Sequence, residues 1–241
     1  MELVILKDDK EIAKKVGDII IDLVKTNKAA VLGLATGSSP ESTYQYVIEK
    51  TAAEKIDWKE VVTFNLDEYI GLSETDEQSY CYYMNKKLFE NININIKNTF
   101  VPSGLVKNDL EAQKYDEEIK KHGGIDLQIL GIGTNGHIGF NEPKTSFDSL
   151  TRIVDLTPST IAANARFFDN EADVPKQAVS MGLKSIMNAK KIILIAMGAT
   201  KAEAIKALIE GNQSTEWPCT VLQDHSDILV VVDEAAASLL S

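Results

Sequence analysis

The sequence predicts an α/β fold: a three-layer, doubly wound, mainly parallel sheet with helices on both faces. Two observations carry that expectation. Apolar strand-like runs alternate with helical spacing along the 241 residues, as successive β-α units require. Several of these runs are unbroken Val, Ile and Leu, the mark of strands covered on both faces. No internal repeat, low-complexity tract or Pro/Gly/Ser-rich linker interrupts the pattern. Residues 1–241 are therefore expected to form a single domain, Rossmann-like in outline.

The elements follow in order. ELVIL (2–6) is a strand, and residues 10–25 have helical spacing, with Ile12, Val16, Ile19, Ile20 and Val24 on one face. AAVLGLA (29–35) is the next strand, followed by a helix from about Pro40 to Lys55 and by the strand VVTFNLDE (61–68). A helix near Tyr80–Phe89, a short FVPSG segment and a helix near Leu110–His122 lead to IDLQILGIG (125–133). TRIVDL (151–156) has strand character. KKIILIAMG (190–198) precedes a helix near Lys201–Ile209, and DILVVVDEAAASLL closes the chain as a strand and then a helix.

Composition narrows the function classes. A hydrophobic content of 44% supplies ample core, and a formal net charge of −11 argues against nucleic acid as a partner. An anionic substrate would need local cations and backbone N–H groups to hold it. Cys81 and Cys219 form no C-x-x-C pair, so neither a disulfide framework nor a zinc site is expected. The start, MELVILKDDKEIAKK, is not built as a signal peptide, and no apolar run reaches membrane-spanning length. A soluble, cytoplasmic protein is the expectation, and no ligand spacing supports a metal site.

Four segments could carry chemistry. In LATGSSPEST (34–43) a strand ends at Ala35 and Thr36-Gly37-Ser38-Ser39 makes a polar turn into a helix, with Pro40 at its first position and Ser39 as N-cap. Open N–H groups and the positive end of the helix dipole make such a turn an anion site suited to phosphate, although strand-to-helix turns often contain Gly and Ser for conformation alone. In FNLDEYIG (64–71), Asp67 and Glu68 stand at a strand end, where α/β active sites lie; a carboxylate there can act as a general base, or simply be solvated. Lys201, after Met197-Gly198-Ala199-Thr200, sits at a helix start where a cation is mildly unfavourable until an anion binds. Arg166, in NARFFD, could reach the same anion with its planar fork; either residue alone could be one surface cation among the 25 Lys and Arg.

The fourth segment is the most informative. DLQILGIGTNGHIGFNEP (126–143) runs from a buried strand into a loop that carries one of only three histidines. Gly131, Gly133 and Gly136 spell G-x-G-x-x-G, but the dinucleotide fingerprint requires a helix opening at the third glycine. Here Asn141 and Pro143 oppose a helix, so a nicotinamide cofactor is not expected. The glycines instead allow close backbone approach to a ligand while exposing His137, whose imidazole suits proton transfer near neutral pH. Glu142 can orient that ring. For His225 a structural role is expected.

In combination, LATGSSPEST, FNLDEYIGL, GIGTNGHIGFNEP, ARFF and GATKA, in this order, resemble the glucosamine-6-phosphate deaminase family, and the resemblance covers essentially the whole chain. It implies conversion of glucosamine 6-phosphate and water to fructose 6-phosphate and ammonia, with no organic cofactor. It implies that His137 takes the anomeric hydroxyl proton during ring opening, with Glu142 holding the ring, and that Asp67 moves the proton from C2 to C1. Thr36, Gly37, Ser38, Arg166 and Lys201 would hold the phosphate. A 6-phosphogluconolactonase-like hydrolase or a sugar-phosphate sensor would share the fold and the phosphate loop, without needing Asp67 as a carbon base.

The chain departs from the family pattern in two places. Many members have Asp where this chain has Asn135, so the acid role falls to Glu142. The chain ends at Ser241, without the C-terminal segment that helps form an allosteric site in longer members, and of that site's basic residues Arg152 is present while Val154 replaces a lysine. Weak or absent activation by N-acetylglucosamine 6-phosphate is expected, as is a monomer or small homo-oligomer. The KTSFDSL stretch (144–150) is a lid candidate. A titration of kcat/KM against pH tests the first departure: Asn135→Asp should leave an active enzyme whose profile is displaced, because a carboxylate beside an imidazole favours its protonated form.

Overall fold

A computed structural model describes residues 1–164, 168, 170 and 174–241, apart from the side chains of residues 159, 163 and 164. The strands are β1 (Glu2–Leu6), β2 (Val31–Leu34), β3 (Val62–Asn65), β4 (Asp67–Tyr69), β5 (Thr99–Phe100), β6 (Leu127–Leu130), β7 (Arg152–Asp155), β8 (Gln177–Ser180), β9 (Lys191–Ala196) and β10 (Ile228–Asp233). The helices are α1 (Asp9–Thr26), α2 (Glu41–Glu54), α3 (Tyr80–Lys87), α4 (Asp109–Ala112), α5 (Lys114–Lys121), α6 (Pro158–Asn164), α7 (Leu183–Met187) and α8 (Ala202–Glu210).

Seven strands form one parallel sheet in the order β1-β10-β9-β6-β2-β3-β5. From β2 the chain winds outward through β3 to β5, and from β6 it winds the other way through β9 and β10. The topological switch point therefore lies between β2 and β6, which pair Leu32 with Leu127. Ligands of open α/β sheets bind outside the strand C-termini at such a point. β2 delivers the 36–39 turn to it, and β6 delivers the glycine loop.

Both faces of the sheet are covered. On one face Leu32, Leu34, Ile129, Ile193 and Val231 pack against Ile12 and Val16 of α1, Tyr44 and Val47 of α2, and Met84 of α3. On the other, Phe64, Leu130, Ile192, Leu194 and Val230 meet Ile119 of α5, Leu183 of α7, and Ile205 and Leu208 of α8. The residue-by-residue alternation between the two clusters is why these strands read as unbroken apolar runs. α1 starts where Asp8 accepts the Glu11 N–H at 3.0 Å, a side-chain cap on the first turn. Its buried stripe includes Ile21, with Ile19 on the flank.

The structure differs from the sequence expectations at particular points. The run 61–68 is not one strand. The Leu66 N–H still donates to Leu34 in the main sheet, but its carbonyl accepts from the Met181 N–H at 2.8 Å. The chain thereby passes into a second, antiparallel sheet of order β4-β8-β7. TRIVDL contributes β7 to this small sheet rather than to the large one, and β8, a four-residue strand, had no sequence signal long enough to notice. The helix expected after β10 is absent: residues 234–239 form turns, with short-range bonds such as that from the Leu240 N–H to the Ala237 carbonyl. α2 begins at Glu41 with Pro40 at the cap and no side-chain cap, so Ser39 does not serve as N-cap.

Tyr44 ties α2 to the end of β2. Its hydroxyl donates to the Ala35 carbonyl at 2.6 Å and accepts from the Ala35 N–H at 3.2 Å, deep in the core. Tyr44→Phe leaves both buried groups unpaired, so urea denaturation should show a loss of about 1–3 kcal/mol.

Candidate active site

A cavity of about 530 Å³ opens at the switch point. Thr36, Gly37 and Ser38 line it from β2, Asp67 from the start of β4, Asn135 and His137 from the glycine loop, and Lys201 from the start of α8. Four widely separated segments thus converge. Arg166 lies outside the described residues.

The glycine loop is shaped around the histidine. Gly133 donates to the His137 carbonyl at 2.8 Å, and a Cβ on Gly133 would fall 2.2 Å from His137 Cε1, so the ring occupies the space of a missing side chain. Gly136 has φ +79°, a left-handed conformation that favours glycine. No helix follows; Ile138 and Asn141 form an isolated bridge instead, in line with the reading against a dinucleotide cradle.

Hydrogen bonding settles the histidine tautomer. Asn135 Nδ2 donates to Glu142 Oε2 at 2.7 Å, and a carboxylate can only accept. The amide must therefore turn its Oδ1 to His137 Nδ1, 2.7 Å away. Nδ1 carries the proton, and Nε2 is left as the basic nitrogen. The second Glu142 oxygen takes the Thr160 hydroxyl at 2.7 Å and stands 3.5 Å from His137 Nδ1. Burial pushes the Glu142 carboxyl up, but the His137 contact, Thr160 and Asn135 together outweigh it and hold it at about 2. The pair expected from the sequence is thus a three-residue relay, with Asn135 as the immediate partner of the ring. Thr160, on α6, is a further member that no sequence motif indicated.

The two adjacent carboxylates have separate tasks. Glu68 is buried and accepts three backbone N–H groups: Tyr69 at 2.8 Å, and Tyr80 and Cys81, in the first turn of α3, each at 3.0 Å. Its charge is spent on a helix N-terminus. Asp67 is 7% exposed, and no described group hydrogen-bonds its carboxyl. Burial first, and the Glu68 charge second, push its pKa up to about 8. A Cβ on Gly139 would approach Asp67 Oδ2 to 3.6 Å, so the glycine loop passes directly over this carboxyl.

The 36–39 turn lines the cavity with backbone. Among the described residues, none accepts from the N–H groups of Thr36, Gly37, Ser38 or Ser39. Four consecutive open donors next to the uncapped start of α2 make a nest for an anion. Gly37 takes φ +91°, and its carbonyl is turned away to the Tyr83 hydroxyl at 2.8 Å. Lys201 is the cap residue of α8, as its position after Gly198-Ala199-Thr200 predicts. Asp233 holds the Gly198 N–H at 2.9 Å and so anchors the start of that loop.

An aromatic wall completes the cavity. Tyr69, Tyr80, Phe140 and Phe168 line it, with Tyr69 and Tyr80 ring centroids 4.8 Å apart. The density of aromatics in SYCYYM (79–84) was the one available sequence signal for it. Residues 144–150 do not line the cavity: Lys144 donates to Thr215 at 2.7 Å, and Ser149 accepts from Lys184 at 3.0 Å, so this segment is fastened down rather than lid-like. Arg152 donates to Asn141 Oδ1 at 2.9 Å beside Glu142, and His225 bridges the Ala189 carbonyl and the Asp227 N–H in a structural role.

Known proteins resemble this chain over its whole length. A family model described as glucosamine-6-phosphate isomerases/6-phosphogluconolactonase matches residues 8–231. A glucosamine-6-phosphate deaminase of Mycoplasma mycoides subsp. mycoides SC is 52% identical over all of this chain and 98% of its own. One from Clostridium beijerinckii is 48% identical with both chains covered completely. A solved structure of a monomeric glucosamine-6-phosphate deaminase superposes with a TM-score of 0.96 at 43% identity, covering 99% of this chain and 100% of that one. The 6-phosphogluconolactonase of Leishmania guyanensis shares the fold, with a TM-score of 0.78 at 18% identity.

The raised Asp67 pKa has a consequence for stability. The native carboxyl keeps its proton up to about pH 8, whereas an unfolded aspartate loses it near pH 4. Across that window the native state binds more protons, so this group's contribution to stability falls as pH rises. Urea midpoints of Asp67→Asn, taken relative to the parent protein, should therefore climb between about pH 5 and about pH 8.5.

Proposed function

We infer the function of a chain that belongs to the glucosamine-6-phosphate isomerase/6-phosphogluconolactonase family: it deaminates glucosamine 6-phosphate to fructose 6-phosphate and ammonia, in amino-sugar catabolism. The observation that carries this reading is the Asp67 carboxyl, buried and without a hydrogen-bond partner among the described residues, in the cavity that also holds His137 and the open N–H groups of 36–39. A lactonase needs no carbon base; an aldose–ketose isomerisation does.

Each step has a group to perform it. His137 Nε2 accepts the anomeric hydroxyl proton and passes it to the ring oxygen as the C1–O5 bond breaks, which opens the pyranose ring. The Nδ1 proton, bound to Asn135, keeps Nε2 in the accepting form, and ionised Glu142 stabilises the imidazolium that results. Asp67 then removes the proton from C2, leaving an enolamine across C1 and C2, and returns it at C1. Water adds to the resulting C2 imine, and ammonia leaves. The phosphate, in the 36–39 turn with Lys201 and Arg166, places C2 over Asp67, so remote binding energy serves the reaction. By likeness to the monomeric relative, the chain acts as a monomer, and a cytoplasmic site of action is part of the same proposal.

Incubation with glucosamine 6-phosphate should release ammonia and fructose 6-phosphate in equal amounts; folded protein that yields neither sinks the assignment. Asp67→Asn should still bind substrate but lose turnover by at least about a hundredfold, together with exchange of the C2 hydrogen into solvent. In the parent enzyme kcat/KM should rise with pH toward about 8, because Asp67 works only when deprotonated. Glu142, held at about 2, stays ionised throughout and adds no acid limb.

A further inference from the structure

We propose that Tyr83 is a positioning residue for phosphate, aiming the Ser38 N–H into the cradle through the carbonyl of Gly37; this rests on the reading of the 36–39 turn as the phosphate site. The Gly37 carbonyl and the Ser38 N–H belong to one peptide plane, and in a trans peptide they point in opposite directions. Tyr83 donates to that carbonyl at 2.8 Å. So long as this bond stands, the Ser38 N–H faces away from Tyr83, and among the described residues it has no acceptor.

The turn needs such a tether. Gly37, at φ +91°, has no side chain to resist rotation of its peptide, and open space surrounds its Cβ position. A flipped 37–38 peptide would present a carbonyl oxygen to the phosphate in place of a donor, exchanging attraction for repulsion. Ala35, one turn upstream, is already fastened on both its N–H and its carbonyl by Tyr44. Tyr83 supplies the corresponding hold at the exposed half of the turn.

Tyr83 is itself placed through Glu68. It lies on α3, whose first turn is bonded by Glu68, the neighbour of Asp67. One helix therefore keys the phosphate turn to the strand that carries the carboxylate. This makes Tyr83, which lines the same cavity, a determinant of phosphate affinity through the Gly37 carbonyl.

The test compares Tyr83→Phe with the parent enzyme in three measurements: KM for glucosamine 6-phosphate, the competitive inhibition constant of inorganic phosphate, and kcat across pH. Loss of one hydrogen bond should raise KM and the phosphate constant together by about three- to tenfold. Turnover at saturation and its pH profile should stay within about twofold, since Asp67 and His137 are untouched. A folded variant with both constants unchanged overturns the proposal, as does a drop in kcat with the phosphate constant unmoved, the mark of a purely structural role. If inorganic phosphate fails to compete in the parent enzyme, the reading of the turn falls and the proposal with it. A crystal of the parent enzyme with inorganic phosphate decides the matter should the variant not fold. A phosphate oxygen on the Ser38 N–H with Tyr83 still on Gly37 supports the proposal, and a flipped peptide refutes it.

Discussion

The three hydrogen bonds accepted by Glu68 are the constraint on which the site depends. They satisfy a buried charge with the N–H groups of Tyr69, Tyr80 and Cys81, and so lock the start of α3 against β4. With that carboxylate committed, its neighbour Asp67 faces the cavity alone. Desolvation and the adjacent negative charge then raise the Asp67 pKa to about 8, within reach of physiological pH. Two acids adjacent in sequence become a structural anchor and an unpaired cavity carboxyl because one finds donors and the other, among the described residues, finds none.

The same logic runs through the histidine relay. Glu142 can only accept, so it dictates the orientation of the Asn135 amide, and the amide dictates the tautomer of His137. An asparagine transmits orientation without carrying charge. The single charge of the relay is therefore concentrated on Glu142, which stays ionised because His137, Thr160 and Asn135 all favour its anionic form. Thr160 belongs to α6, so this element is tied to the relay through one hydroxyl.

The protein carries a net charge of −11 yet binds a dianionic substrate. Local geometry resolves the conflict. Four residues with open backbone N–H groups, next to the uncapped α2 terminus, and Lys201 line one cavity. Backbone donors cost no net charge and require only that competing carbonyls be held elsewhere, which is the service Tyr44 and Tyr83 provide.

Much of this was legible in one dimension. The parallel strands β2, β6, β9 and β10 were visible because each is covered on both faces and so is apolar at nearly every position. His137, Asp67 and the 36–39 turn were visible because a strand followed by glycine, acid or hydroxyl residues marks the carboxyl edge of an α/β sheet. The small sheet was not legible, since its strands are three or four residues long and β4 is continuous in sequence with β3; only the bond from Met181 to Leu66 separates them. Nor were the division of labour between Asp67 and Glu68, the insertion of Asn135 between His137 and Glu142, or the reach of Tyr83 to Gly37. Local periodicity and turn chemistry are written in adjacent residues, so the sequence alone determines the strands, the loops and the reactive side chains they carry. Which donor meets which acceptor is decided across gaps as long as the 46 residues between Gly37 and Tyr83. Only the folded chain brings such groups within hydrogen-bonding distance and sets their charges.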